Sequence, residues 1–94
     1  MIGGGPGSFI GAVHRIAARI DDAYELVAGA FSSKPEKCLE TAKELGIGAE
    51  RAYGSWAELI EKEQALPEDQ RVEVIMITTP NHVHAGPTIA ALEA

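Results

Sequence analysis

Apolar positions in this chain fall into short runs, separated by stretches with helical spacing. Four runs read as strands: Met1-Ile2, Tyr24 to Phe31, Arg51-Ala52-Tyr53 and Val72 to Thr78. The last is the strongest, β-branched and nearly continuous, as expected of a strand covered on both faces. Between the runs the period changes. Phe9, Val13, Ile16 and Ile20 recur at spacings of four, three and four, which places them on one face of a helix. Ser8 stands where its hydroxyl can cap that helix, and Asp21-Asp22 marks the exit turn. Pro35 opens a second helix where its missing N–H costs nothing. Cys38, Ala42 and Leu45 form its buried stripe, and Gly46 stops it. Ser55-Trp56-Ala57-Glu58 fits a capping box, with Ser55 and Glu58 satisfying each other's backbone N–H groups. That third helix carries Trp56, Leu59 and Ile60 inward. Pro87 is tolerated only in a first turn, so the last helix starts near His84, with Ile89 and Leu92 as its apolar face.

The resulting order, β-α-β-α-β-α-β-α, predicts an α/β fold. It is a Rossmann-type, doubly wound parallel sheet with right-handed crossovers and strand order 3-2-1-4. The first strand is a stub and no fifth strand follows, so the sheet is expected to be incomplete at both ends.

Composition narrows the function classes. The chain has 94 residues, 46% apolar and 23% charged, which excludes a disordered tail and limits it to one domain. No run of ~18 apolar residues exists to span a membrane, and Met1-Ile2-Gly3, without a basic and then an apolar stretch, is not expected to begin a signal peptide. Eight Lys and Arg stand against 14 Asp and Glu, a net charge of −6, which argues against a nucleic-acid partner. Cys38 is the only cysteine, so there is no internal disulfide, and a reducing, cytoplasmic compartment is expected. The acidic residues Glu58, Glu61 and Glu63 read as a solvated helix face, and Glu68-Asp69 as part of a polar loop. His82 and His84 would point about 200° apart on a helix, so no metal site is expected.

The candidate chemistry begins with the glycine-rich stretch Gly3-Gly4-Gly5-Pro6-Gly7-Ser8, between the first strand and the first helix. Such a turn lets the backbone approach a pyrophosphate, and the helix N-terminus that follows offers free N–H groups and a partial positive charge. Gly3-x-Gly5 gives the tight turn. The usual G-x-G-x-x-G spacing would put a third glycine at position 8, which is Ser8, so the loop is longer than standard. Gly11 lies inside the helix, where a missing side chain would let the helix pack closely on a strand, and in the longer loop Gly7 is the competing candidate for the close approach to the pyrophosphate. Pro6, Ser8, Phe9 and Ile10 complete the candidate cofactor loop. The second strand ends in Phe31-Ser32-Ser33-Lys34, without the acid that accepts from the ribose hydroxyls in NAD sites. Hydroxyls and a lysine suit a 2′-phosphate, which leans towards NADP over NAD.

With the turn Thr79-Pro80-Asn81-His82-Val83-His84 after the last strand, and Tyr53-Gly54-Ser55-Trp56 between, the chain resembles the Gfo/Idh/MocA oxidoreductases over its whole length. The resemblance implies that residues 1–94 are part of an NAD(P)-binding Rossmann domain, and that a C-terminal substrate domain lies outside this chain. It implies a dehydrogenase or reductase that moves hydride to or from a sugar, inositol or related polyol, often as a homo-oligomer. Gly3, Gly5 and Gly11 would belong to the pyrophosphate turn, Ser32, Ser33 and Lys34 to the ribose end. Thr78, Thr79, Pro80 and Asn81 would line the cofactor, with His84 near its nicotinamide half. The family's catalytic lysine follows a fifth strand, so no catalytic residue is assigned here and the chain alone is expected to be inactive. A non-catalytic dinucleotide-binding or interaction module is the alternative. A domain for S-adenosylmethionine ranks third, since it commonly wants an acid at the end of strand two.

Overall fold

The computed structural model describes all residues, 1–94. It contains two strands, β1 (Ile2–Gly3) and β2 (Ile77–Thr78), and four helices: α1 (Phe9–Arg19), α2 (Pro35–Glu44), α3 (Trp56–Gln64) and α4 (Ala85–Glu93). β1 and β2 pair in parallel, Ile2 opposite Ile77 and Gly3 opposite Thr78. Parallel bridges continue sideways from Ile2 to Ala30 and from Gly29 to Ala52. The lateral sequence is therefore Ala52, Gly29-Ala30, Ile2-Gly3, Ile77-Thr78.

Four strands were expected, and two of them are reduced to single bridges. The reason lies at the centre. β1 offers only Met1 to Gly3 for pairing: Ile2 N donates to Met76 O at 2.8 Å, Gly3 N to Ala30 O at 2.9 Å, and Ala30 N to Met1 O at 2.9 Å. Residues 24–28 and 72–75 then have no β1 partner to form a ladder with. The fourth run is correspondingly not covered on both faces: Val74 is 62% exposed, and Ile75 to Thr78 are half-buried.

Alternation of side chains splits the core in two. Ile2, Ala28, Ala30 and Tyr53 meet Leu59 and Ile60 of α3, with Ala90 and Ala91 of α4 against them. Met1 and Phe31 meet Cys38 and Ala42 of α2, together with Ile47. Helices thus cover both faces of the sheet. Full burial of a side chain such as Leu59 contributes about 1.5–3 kcal/mol.

The helix boundaries follow their local signals. Ser8 Oγ accepts from Gly11 N at 3.1 Å. Pro35 is the first residue of α2, and Gly46 ends it in the left-handed region at φ 73°. At α3, Ser55 Oγ accepts from Glu58 N, but the Glu58 carboxylate reaches Gly54 N at 2.9 Å, one residue before the cap.

Two expected apolar faces are turned outward. On α1, Phe9, Val13, Ile16 and Ile20 are all exposed, Phe9 by 80%; the packed face is Gly11, Ala12, Arg15 and Ala18. On α4, Ile89 and Leu92 are exposed, and Pro87, Ala90 and Ala91 face inward. At Gly11 the start of α1 sits close to the Gly4 backbone, and both packed faces are lined mainly by small residues, Arg15 of α1 being the long exception. On α4, a Cβ at Gly86 would lie 3.3 Å from the Trp56 ring.

Candidate functional site

The carboxyl ends of the parallel segments converge. Gly3, at the end of β1, packs so tightly on the end of β2 that a Cβ there would lie 2.8 Å from Thr78 C and 2.9 Å from Thr79 N. A Cβ at Gly5 would lie 2.7 Å from Phe31 O and 3.6 Å from Ser32 Cβ. Residues 3–5, 31–32 and 78–79, far apart in sequence, thus form one continuous edge. Gly3 and Gly4 reach it with φ of 84° and 77°, a conformation that side chains disfavour.

Beyond Gly5 the chain makes a turn closed by Ser8 N donating to Gly5 O at 3.0 Å. Pro6 and Gly7 are its exposed tip, and α1 begins immediately after. Gly7, at φ 77°, has nothing within 4 Å of its would-be Cβ and faces open space, whereas Gly11 packs on the turn itself, its would-be Cβ lying 2.6 Å from Gly4 Cα. Gly11 is the buried residue of α1, and its bareness lets the helix N-terminus sit on the turn. Phe9 and Ile10 are exposed beside it. A groove of about 310 Å³ borders this turn, lined by Gly4 to Phe9 and by Ala12, Arg15, Thr41, Glu44 and Leu45. A larger cavity of about 450 Å³ lies between α3, α4 and residues 71–77. It shares no residue with the glycine turn, and backbone donors for a phosphate are found at the smaller one.

The second segment ends as a small turn. Ser32 Oγ accepts from Lys34 N at 3.1 Å, while Ser33 and Lys34 are exposed. On the other side, Thr79 Oγ1 is buried and has no hydrogen-bond partner. A buried hydroxyl left unpaired costs about 1–3 kcal/mol, so its place at this edge marks a position where a bound polar group would satisfy it. Pro80 and Asn81 are exposed in the turn that follows. His84 folds back: its Nε2 lies 2.6 Å from Thr79 O. A carbonyl only accepts, so Nε2 carries the proton. His84 also caps α4, its carbonyl accepting from Thr88 N and, at 2.7 Å, from Thr88 Oγ1. The histidine therefore ties the Thr-Pro-Asn turn to the helix behind it.

Two groups escaped the reading of the sequence. Arg15 Nη1 donates to Gly4 O at 3.0 Å. Its signal was positional, four residues beyond Gly11 and on the same helix face. Glu63, expected in solvent, is 2% exposed. Its carboxylate accepts from Arg51 Nε at 3.0 Å and Nη2 at 2.6 Å, from Tyr53 Oη at 2.7 Å, and from Val72 N at 3.0 Å. Burial pushes the Glu63 carboxyl up, but these donors outweigh it and hold it below the usual range. Burial, then the bond to Glu63, pushes the Tyr53 phenol up to about 12. Hydrogen bonding to Glu63 likewise raises Arg51. This knot ties α3 to the two segments flanking it, away from the glycine turn.

A dinucleotide would find here a glycine cradle, a capped helix N-terminus and an unpaired hydroxyl; the residues present fit such a group.

The whole chain, residues 1–94, matches the GFO_IDH_MocA family, described as an oxidoreductase family with an NAD-binding Rossmann fold. It is 41% identical over 95 residues to the uncharacterized oxidoreductase YfiI of Bacillus subtilis (strain 168), covering 100% of this chain and 24% of that protein. An oxidoreductase structure from Sinorhizobium meliloti is 48% identical with a TM-score of 0.90, covering 99% of this chain and 25% of that one. An inositol dehydrogenase homolog from Azotobacter vinelandii, complexed with NAD+, is 40% identical with a TM-score of 0.93, covering 99% and 23%. The same homolog is also known with NADH and myo-inositol, at 40% identity, a TM-score of 0.93 and coverage of 99% and 24%. The chain thus spans about a quarter of the length of these relatives.

Proposed function

The chain belongs to the Gfo/Idh/MocA oxidoreductase family, and on that premise we propose that it forms the dinucleotide-binding part of an NAD(P)-dependent dehydrogenase or reductase acting on a sugar, inositol or related polyol. The observation that carries the reading is the Thr79 hydroxyl, buried and unpaired beside the Gly3 to Gly5 turn. The bound cofactor supplies hydride chemistry; the residues here bind and orient. Backbone N–H groups at the turn and the start of α1 face the pyrophosphate, with Gly3, Gly5, Pro6, Gly7, Ser8, Phe9, Ile10 and Gly11 around it. Thr78, Thr79, Pro80 and Asn81 line the other side, braced by His84. The relative that binds NADH and myo-inositol supports the polyol class of substrate.

The lateral order of parallel pairings supports a doubly wound sheet of order 3-2-1-4. Residues 1–94 make up part of that Rossmann domain; a separate C-terminal domain would carry most substrate contacts, and the catalytic lysine implied by the resemblance would follow a fifth strand. Ser32, Ser33 and Lys34 bear no carboxylate at the ribose end, which favours NADP(H), although the Azotobacter relative holds NAD+. No helix is long and apolar enough to cross a membrane. Cys38 is buried, its thiol donating to Tyr53 O at 3.2 Å; the cytoplasmic setting is proposed from the single cysteine of the sequence alone. Calorimetric titration with NADH and NADPH tests the proposal. Saturable binding of at least one is expected; failure of both to bind the folded protein would overturn it.

A further inference from the structure

The geometry points to Arg15 as a positioning residue for the dinucleotide turn, a role that rests on the dinucleotide reading above. Arg15 is half-buried on the packed face of α1. Its Nη1 donates to Gly4 O at 3.0 Å and lies 3.7 Å from Met1 Sδ. The same nitrogen would lie 3.2 Å from a Cβ at Gly4 and 3.2 Å from a Cβ at Gly11. The guanidinium therefore packs against both glycines, with the Met1 side chain nearer still to the first and Gly4 Cα and Ser8 Oγ nearer to the second, and it holds the carbonyl of a residue at φ 77°. With that carbonyl held, the N–H groups of the turn keep one orientation.

The charge is kept in reserve as well. The ion pairs of the structure are Arg51 with Glu63 and Lys62 with Glu58; Arg15 has no carboxylate within 4.0 Å. Glu44 lines the same groove without pairing with it. In a chain of net charge −6, an uncommitted cation under the turn raises the local potential where a pyrophosphate would bind.

The test compares Arg15→Met and Arg15→Lys with the unmodified chain, using NADH and NADPH as pyrophosphate probes and adenosine as a phosphate-free one. Arg15→Met is expected to weaken the better dinucleotide by about tenfold, the worth of a charge-assisted hydrogen bond and a nearby charge. Adenosine affinity should stay within about twofold, because no phosphate is involved. Arg15→Lys keeps the charge and should recover part of the loss. Unchanged dinucleotide affinity in Arg15→Met would overturn the role, as would an equal loss for adenosine, which marks general unfolding. If the unmodified chain binds neither dinucleotide, the dinucleotide reading falls, and this role falls with it.

Discussion

Replacing Gly11 with alanine asks how tightly the helix must sit on the glycine turn. The added Cβ would lie 2.6 Å from Gly4 Cα, 2.9 Å from Ser8 Oγ and 3.2 Å from Arg15 Nη1. Carbon atoms in ordinary contact stand about 3.5–4.0 Å apart, so the start of α1 and the turn must separate by about 1 Å. Overpacking of this kind costs about 1–3 kcal/mol. The better helix propensity of alanine returns about 1 kcal/mol, leaving a net loss of about 0–2 kcal/mol. Affinity should suffer more than stability, because a 1 Å displacement re-aims the N–H groups at the turn. A rise in Kd of about tenfold or more is expected, equivalent to about 1.4 kcal/mol. Urea denaturation followed by circular dichroism reads the first quantity, and titration with NADH and NADPH the second. Gly46→Ala is the control. Its φ is 73° with open space around it, so it should cost about 1 kcal/mol in stability and leave affinity unchanged. A folded Gly11→Ala chain that binds as tightly as the unmodified one would refute the reading of the Gly11–Gly4 contact as the setting of the turn.

Thr79→Val removes the unpaired buried hydroxyl. Stability without ligand should hold or rise by up to about 1 kcal/mol, while dinucleotide Kd rises about 3–10-fold; a loss of stability with unchanged Kd would show the hydroxyl paired within the protein. Lys34→Ala should weaken NADPH about 3–10-fold and leave NADH within twofold; equal effects on both would remove Lys34 from the ribose end. Glu63→Ala strands the Tyr53 hydroxyl and Val72 N–H, and leaves Arg51, whose side chain is 25% exposed, to rehydrate. A loss of about 2–4 kcal/mol is expected in denaturant unfolding, at unchanged or weakly changed dinucleotide affinity. Because folding lowers the Glu63 pKa, its stabilisation is present above the ordinary carboxylate value of 4.5 and is lost as pH falls through the lower folded value. Glu63→Gln should flatten that acid limb, and an identical acid limb in both chains would show that other groups govern it.

Glu63 and α1 show where hydropathy misleads. Spacing alone put Glu63 beside Leu59 and Ile60 on the buried face of α3, but its charge argued for solvent. Three partners from residues 51, 53 and 72 decide the matter, and none is local to it in sequence. On α1 the opposite happened: Phe9, Val13, Ile16 and Ile20 share a face, yet within these 94 residues nothing covers it. The helix is docked by Gly11, Ala12, Arg15 and Ala18, which allow a close approach to the turn. The signals that did read correctly were local and stereochemical. Ser8 caps α1, Pro35 opens α2, Gly46 closes it, and the glycine turn sits at the end of β1. Strand extents were illegible for a related reason: a ladder needs a neighbour of equal length, and β1 has two residues.

The acidic charge acquires a different meaning once the turn is seen in place. A net charge of −6 opposes an anionic partner only where the acids are near and unscreened. At physiological salt, exposed charges fade over about 8 Å, and the knot between Glu63 and Arg51 neutralises one buried acid on the spot. What remains at the turn is one uncommitted guanidinium, held by Gly4 O, and a helix N-terminus, set against the single Glu44 carboxylate of the same groove. A pyrophosphate there meets a positive local field inside a negative molecule. Raising salt should then weaken dinucleotide binding, since attraction at the turn is screened, whereas a site dominated by the overall charge would bind more tightly. A titration at about 50 mM and about 500 mM salt separates the two, and tighter binding at high salt would refute the local field.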